Sequence, residues 1–177
     1  MNNCLWKKGS YRIMLNEIRK ITVVTGERGA GKTKYCLEQV QAARERGWVV
    51  RGILSPASYD AGRKTGFYLR NLENDEQRLS GTLNPEINLG GQFRRWSIST
   101  SVFEWGNQIL SAIDACDLIV IDELGPLEFE EGKGYTAAFD CLKNADFQQA
   151  LVVIRPECLA NFQAMGFDFD TMKIIKE

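Results

Sequence analysis

Gly26-Glu27-Arg28-Gly29-Ala30-Gly31-Lys32-Thr33 is the stretch on which the reading of this chain turns. It fits the spacing G-x-x-x-x-G-K-[ST], and its setting is the one that spacing requires. The apolar run Ile21-Thr-Val-Val-Thr25 before it reads as a buried strand. Residues 33–46 after it read as a helix, with Cys36, Leu37, Val40 and Ala43 at helical spacing and Gly47 as the stop. Glycines let such a loop curl until several N–H groups point at one phosphate chain, and the helix N-terminus adds partial positive charge. Lys32 is expected to reach the β- and γ-phosphates of a nucleotide and the Thr33 hydroxyl to ligate Mg²⁺. Gly26 through Lys34 are the expected nucleotide contacts.

A second stretch complements the first. Asp117-Leu-Ile-Val-Ile-Asp122-Glu123 is four aliphatic residues followed by two carboxylates. A buried strand would deliver Asp122 to the carboxyl edge of a sheet, where the phosphate loop also opens. There Asp122 can hold the Mg²⁺ and Glu123 can orient and deprotonate an attacking water. Arg155, directly after the apolar run Leu151–Ile154, and Arg28, inside the loop, are each placed to stabilise charge in a transition state. A surface ion pair is the equally open reading for both.

Composition bounds the rest. The chain has 177 residues, 44% hydrophobic and 25% charged, the profile of one soluble globular domain. Twenty-two Lys and Arg against 23 Asp and Glu leave a net charge of -1, so nucleic acid is not an expected partner. The interleaved cluster Phe93-Arg-Arg-Trp96 is its only hint. No histidine is present, which excludes His-based triads and His-ligated zinc. The odd count of five cysteines, with no C-x-x-C pair, reads as free thiols in the cytoplasm. The apolar runs are far too short to span a membrane.

Between the two motifs the pattern changes. Residues 48–54 read as a strand, then 63–72, 77–83 and 93–98 as strands of an antiparallel meander with no helix among them. Ser101 and Glu104 have capping-box spacing for a helix carrying Val102, Phe103, Ile109, Leu110 and Ile113 on one face. A weak helix over 135–143, a strand over 151–154, a helix over 156–164 and a strand over 172–175 complete the reading. Glu128, Glu130 and Glu131 read as a solvated loop. Strands alternating with helices imply a mostly parallel α/β sheet covered on both faces.

Three segments together resemble the small nucleoside-triphosphatases of the THEP1 type: the phosphate loop, Ala61-Gly-Arg-Lys-Thr-Gly-Phe67, and Val120-Ile-Asp-Glu-Leu-Gly-Pro-Leu-Glu128. The resemblance runs from about Ile21 to Lys176. It implies a P-loop NTPase fold with a RecA-like, mostly parallel sheet flanked by helices and an antiparallel extension. It implies Mg²⁺-dependent hydrolysis of ATP, GTP and other nucleoside triphosphates with loose base selectivity. It carries over Lys32, Thr33, Asp122 and Glu123 in the roles above, sets Arg63 and Phe67 near the site, and makes Glu128 a possible second acid. In a RecA-like order one strand separates the loop strand from the Asp-Glu strand. The expected sequence across the sheet is therefore 172–175, 21–25, 151–154, 118–122, 48–54, with the meander beyond. Residues 1–13 are expected to be a leader outside a single domain of 14–177. Two alternatives stay open, a kinase in which a bound hydroxyl replaces water, and a nucleotide-gated switch without turnover.

Overall fold

The computed structural model describes residues 19–175, so the expected leader lies outside the described residues. In chain order the elements are β1 (Lys20–Thr25), α1 (Lys32–Glu45), β2 (Val50–Leu54), β3 (Ala57–Asp60), β4 (Arg63–Asn71), β5 (Gln77–Thr82), β6 (Gly90–Phe93) and β7 (Trp96–Ser99). Then come α2 (Thr100–Ser111), β8 (Ala115–Leu124), α3 (Pro126–Phe129), α4 (Ala137–Asn144), β9 (Asp146–Ile154), a 3-10 turn (Pro156–Cys158), α5 (Leu159–Ala164) and β10 (Asp170–Lys173).

All ten strands join one sheet in the order β10-β1-β9-β8-β2-β4-β5-β7-β6, with β3 pairing β4 off this path. The first five strands are parallel to one another. β9 lies between β1 and β8, the inserted-strand order expected above. β4 turns antiparallel on β2 and opens the meander. The parallel strands are apolar on both faces because both faces are covered. Leu118, Ile119, Val120 and Ile121 are all nearly or fully inaccessible. One core packs Val24, Leu54, Val120 and Val153 under α1 through Cys36, Val40 and Ala43. The other packs Val23, Ile53, Ile121 and Val152 under α2, α4 and α5 through Leu110, Leu142 and Phe162.

Several local expectations are corrected. The stretch 93–98 is not one strand. It is a two-residue turn at Arg94-Arg95 between β6 and β7, with Phe93 opposite Trp96. β3 was absent from the sequence reading; Ala61 and Gly62, both at positive φ, turn it back onto β4. The cap of α2 is Ser99, whose Oγ accepts from Val102 N at 3.3 Å, not Ser101. Tyr135 precedes α4 rather than opening it; its ring packs edge-on against Phe103 and its hydroxyl meets Ser80 Oγ at 3.3 Å. The last strand begins at Asp170 and ends at Lys173, two residues earlier than read.

One position shows how tightly the central strands are packed. Gly52, in β2, has φ +114°, and a Cβ there would run into the carbonyl oxygen of Val120 on the neighbouring strand. Gly52→Ala should therefore lose about 2–4 kcal/mol from backbone strain and overpacking. A thermal melt checks this; a drop of about 5–15 °C is expected for a domain of this size.

Candidate active site

Parallel strands end at one edge, so β1, β2, β8 and β9 deliver their following residues to the same rim. The loop after β1 carries positive φ at Gly26, Gly29 and Gly31. Gly26 is needed twice over, because a Cβ there would also strike the carbonyl of Ile174 beside β10. Glu27, Arg28 and Gly29 face solvent, and Ala30 is partly covered. Lys32 opens α1 and is only 7% exposed. Its Nζ donates to the carbonyls of Gly26 at 2.8 Å and Glu27 at 3.0 Å, tying the loop to its own helix. Lys34, two residues further along the helix, points to solvent beside Glu38, with Nζ–Oε1 3.9 Å. Of the expected loop contacts it is the one turned away from the rim.

β8 places Asp122 on the α1 side of the sheet, where it is 2% exposed. Ser55, directly after β2, donates its N–H to Asp122 Oδ2 at 3.2 Å and its hydroxyl to the Asp122 carbonyl at 2.5 Å. The Thr33 hydroxyl lies against the same carboxylate. Burial pushes the Asp122 carboxyl up to about 7, the neighbouring Glu123 charge adds to this, and Thr33, Ser55 and Lys32 oppose it. This buried carboxylate beside a hydroxyl is a hard-oxygen pair suited to Mg²⁺. Among the described residues no group of three or more His, Cys, Asp or Glu could hold a metal alone. A set of one carboxylate and one hydroxyl fits an ion that arrives with a nucleotide and keeps phosphate and water ligands.

The register of β8 on β9 shifts between Ile121 and Leu124, which releases Glu123 from regular pairing at the rim. The Asp122–Glu123 peptide bond is cis. Arg155, at the end of β9, meets Glu123 Oε1 through Nε at 2.7 Å and Nη2 at 2.6 Å. Its stem lies across Gly125, where a Cβ would come within 3.0 Å of Arg155 Cδ. Arg155 is thus at the rim and bound to the acid pair.

Glu128 does not belong to a solvated loop, as the sequence reading had it. It is 7% exposed, and its two oxygens accept from Gly125 N at 2.8 Å and Tyr135 N at 3.0 Å. Gly134 leaves the room for it, since a Cβ there would overlap the carboxylate. Burial pushes its carboxyl up to about 6 against those two hydrogen bonds. It staples the segment after Glu123 to the segment before α4, and both oxygens are engaged there.

Arg63, at the start of β4, is exposed, and Phe67 packs its ring edge-on to Trp96 at 5.3 Å. The aromatic and basic cluster noted at 93–96 is therefore a hairpin whose Trp96 is spent on Phe67. Two residues of the site were missed in the sequence. Ser55 could have been found as the polar residue following a parallel strand. Lys64, next to Arg63, could have been found by alternation along β4, since neighbouring strand residues face opposite sides.

The comparisons agree with this geometry. The NTPase family matches residues 21–160. Among curated relatives, the chain is 30% identical over 111 residues to the nucleoside-triphosphatase THEP1 of Methanopyrus kandleri, covering 61% of this chain and 59% of that protein, less than two thirds of its length. It is 28% identical to the THEP1 of Thermococcus kodakarensis, covering 81% of this chain and 80% of that one. Among solved structures, the solution structure of a human cancer-related nucleoside triphosphatase superposes with a TM-score of 0.67 at 18% identity, over 89% of this chain and 90% of that chain. The crystal structure of THEP1 from Aquifex aeolicus gives 0.59 at 15% identity, over 87% and 89%. With the family matching most of its length, from the strand before the phosphate loop to the helix after β9, this chain belongs to the NTPase family of THEP1-type proteins.

Proposed function

We propose that this chain is a Mg²⁺-dependent nucleoside-triphosphate phosphohydrolase that converts NTPs to NDPs and phosphate. The observation that carries the reading is the convergence of Lys32, Thr33, Asp122, Glu123 and Arg155 on one sheet edge. Loop amides and Lys32 bind the phosphate chain. Thr33 and Asp122 would hold the Mg²⁺, which neutralises phosphate charge when bound. Glu123 takes the proton of the water whose oxygen bonds to the γ-phosphorus. The bond from that phosphorus to the β–γ bridging oxygen breaks, and its electron pair leaves with the NDP. Arg155 holds one Glu123 oxygen and leaves the other for the water. Broad base selectivity is part of the reading and rests on the likeness to THEP1-type proteins. A cytoplasmic location is supported by Cys36, Cys116, Cys141 and Cys158 all being free. No helix among the described residues is long and apolar enough to cross a membrane.

The strand order counts against the kinase alternative, since β9 separates β1 from β8 where many phosphate-loop kinases set those strands side by side. The deciding experiment measures phosphate release from ATP, GTP, CTP and UTP, with and without hydroxyl acceptors. Release from all four without acceptor is expected; transfer that requires an acceptor overturns the hydrolase reading, and tight binding with no turnover favours the switch. Asp122→Asn tests the metal assignment. It should raise the Mg²⁺ concentration for half-maximal activity by about tenfold or more, the scale on which metal affinity falls when a group that holds or orients a metal ligand is lost. An unchanged Mg²⁺ titration would remove Asp122 from the metal site.

A further inference from the structure

Lys64, like Arg28, is a cation at the rim that the mechanism above leaves unused. It comes from β4, in the antiparallel meander, yet four charges of the parallel core act on it: Glu123 and Asp122 from the end of β8, Arg155 from the end of β9, and Arg28 from the phosphate loop. Its ammonium is braced from behind by two aromatic faces, 5.4 Å from the Phe67 centroid and 5.7 Å from that of Trp96. Phe67 is itself held across Gly81, where any Cβ would overlap the ring. Lys64 is exposed at the surface, yet partial burial of its surroundings lowers its pKa against the pull of the two carboxylates.

A structural role as counter-ion to the acid pair does not account for this placement. Asp122 is already served by Thr33 and by Ser55 N, and Glu123 Oε1 by Arg155. Lys64 forms no ion pair within 4.0 Å among the described residues. The rim holds four cations, Lys32, Lys64, Arg28 and Arg155, against three carboxylates, Glu27, Asp122 and Glu123. Such an excess in a partly desolvated cleft suits a polyanion. Glu123 and Arg155, the residues placed where water attacks, are among the charges that act on Lys64.

We propose that Lys64 is a further catalytic residue, a cation delivered by the meander that contacts the γ-phosphate of a bound nucleoside triphosphate. This rests on the hydrolase reading. In the step already described, Lys64 stays protonated throughout and stabilises negative charge on the γ-phosphoryl oxygens, beside Lys32. The meander then has a chemical purpose, since it adds a cation to those that the phosphate loop and the end of β9 supply.

The test compares Lys64→Ala and Lys64→Arg with wild type and with Lys32→Ala as the reference for a lost phosphate contact. Lys64→Ala should lower kcat for ATP hydrolysis by about 10- to 100-fold, less than the loss expected for a primary oxyanion donor. It should weaken a non-hydrolysable ATP analogue by about tenfold while leaving ADP affinity within about twofold, because only the γ-phosphate meets Lys64. Lys64→Arg, which keeps the charge, should recover most of the kcat, and the melting temperature of both variants should stay near wild type. Hydrolysis by Lys64→Ala within about twofold of wild type overturns the proposal, as does equal weakening of ADP and the ATP analogue, which marks a general structural role. If wild type hydrolyses no nucleotide, the hydrolase reading fails separately. The ADP-against-analogue comparison then still decides whether Lys64 meets the γ-phosphate.

Discussion

Lys32→Ala should reduce phosphate release by at least about 10²–10³-fold, the loss that follows removal of one positioned donor from a developing anion. The ammonium is a stronger case than its sequence position suggested. The side chain is folded back and 7% exposed, with two of its three protons on Gly26 and Glu27 carbonyls. The same two bonds that shape the loop hold the ammonium against it and leave one N–H without a protein acceptor. Removing them costs about 1–3 kcal/mol of local stability, too little to unfold a domain of ordinary stability. Phosphate-release assays at saturating NTP, run beside a melting curve, separate the two effects. Hydrolysis near wild type by a folded Lys32→Ala protein would overturn the phosphate-loop assignment.

Glu123→Gln should lower kcat by about 10²–10⁴-fold, the range for a positioned general base, while Mg-nucleotide binding persists. The geometry explains why the two effects should part. Both close contacts of Arg155, at 2.7 and 2.6 Å, fall on Oε1. A glutamine keeps an oxygen for that guanidinium and keeps the shape of the rim, but it cannot accept a proton from water. Asp122, the residue assigned to the metal, keeps its own contacts with Thr33 and Ser55 and is left unchanged. Equilibrium binding of a non-hydrolysable analogue and single-turnover kinetics give the two numbers. Normal turnover by Glu123→Gln would require another base. Glu128, the other acid raised by the sequence, is poorly placed to be it, since its oxygens are both occupied by the N–H groups of Gly125 and Tyr135.

Much of this was legible in the sequence because its signals are local. The phosphate loop is read from eight consecutive residues, since the chemistry needs glycines, a lysine and a hydroxyl at fixed backbone spacing. The strand Leu118–Ile121 is read from four aliphatics, because a strand covered on both faces has no polar side to show. The order of the parallel strands also followed, because an acid next to Asp122 goes with an inserted strand, and β9 is found there. The meander was recognised as antiparallel, but its turns were blurred. Arg94 adopts φ +52° inside what reads as a continuous strand, and nothing in Phe93-Arg-Arg-Trp96 announces that turn.

What the tertiary structure alone decided concerns which side chains meet across long separations in the chain. The sequence by itself determined the α/β class, the loop, the acid pair and the rim on which they gather, because backbone spacing and burial periodicity are properties of short segments. It could not determine that Arg155 spends its guanidinium on Glu123, 32 residues away. Nor could it determine that Glu128 is a buried staple rather than a solvated acid, or that Lys64, one residue after Arg63, is acted on by the charges of the rim. Each of those outcomes depends on which face of a strand or turn a charged side chain occupies. For a charge that choice is set by the partners and the desolvation it meets there, which exist only once the sheet has closed.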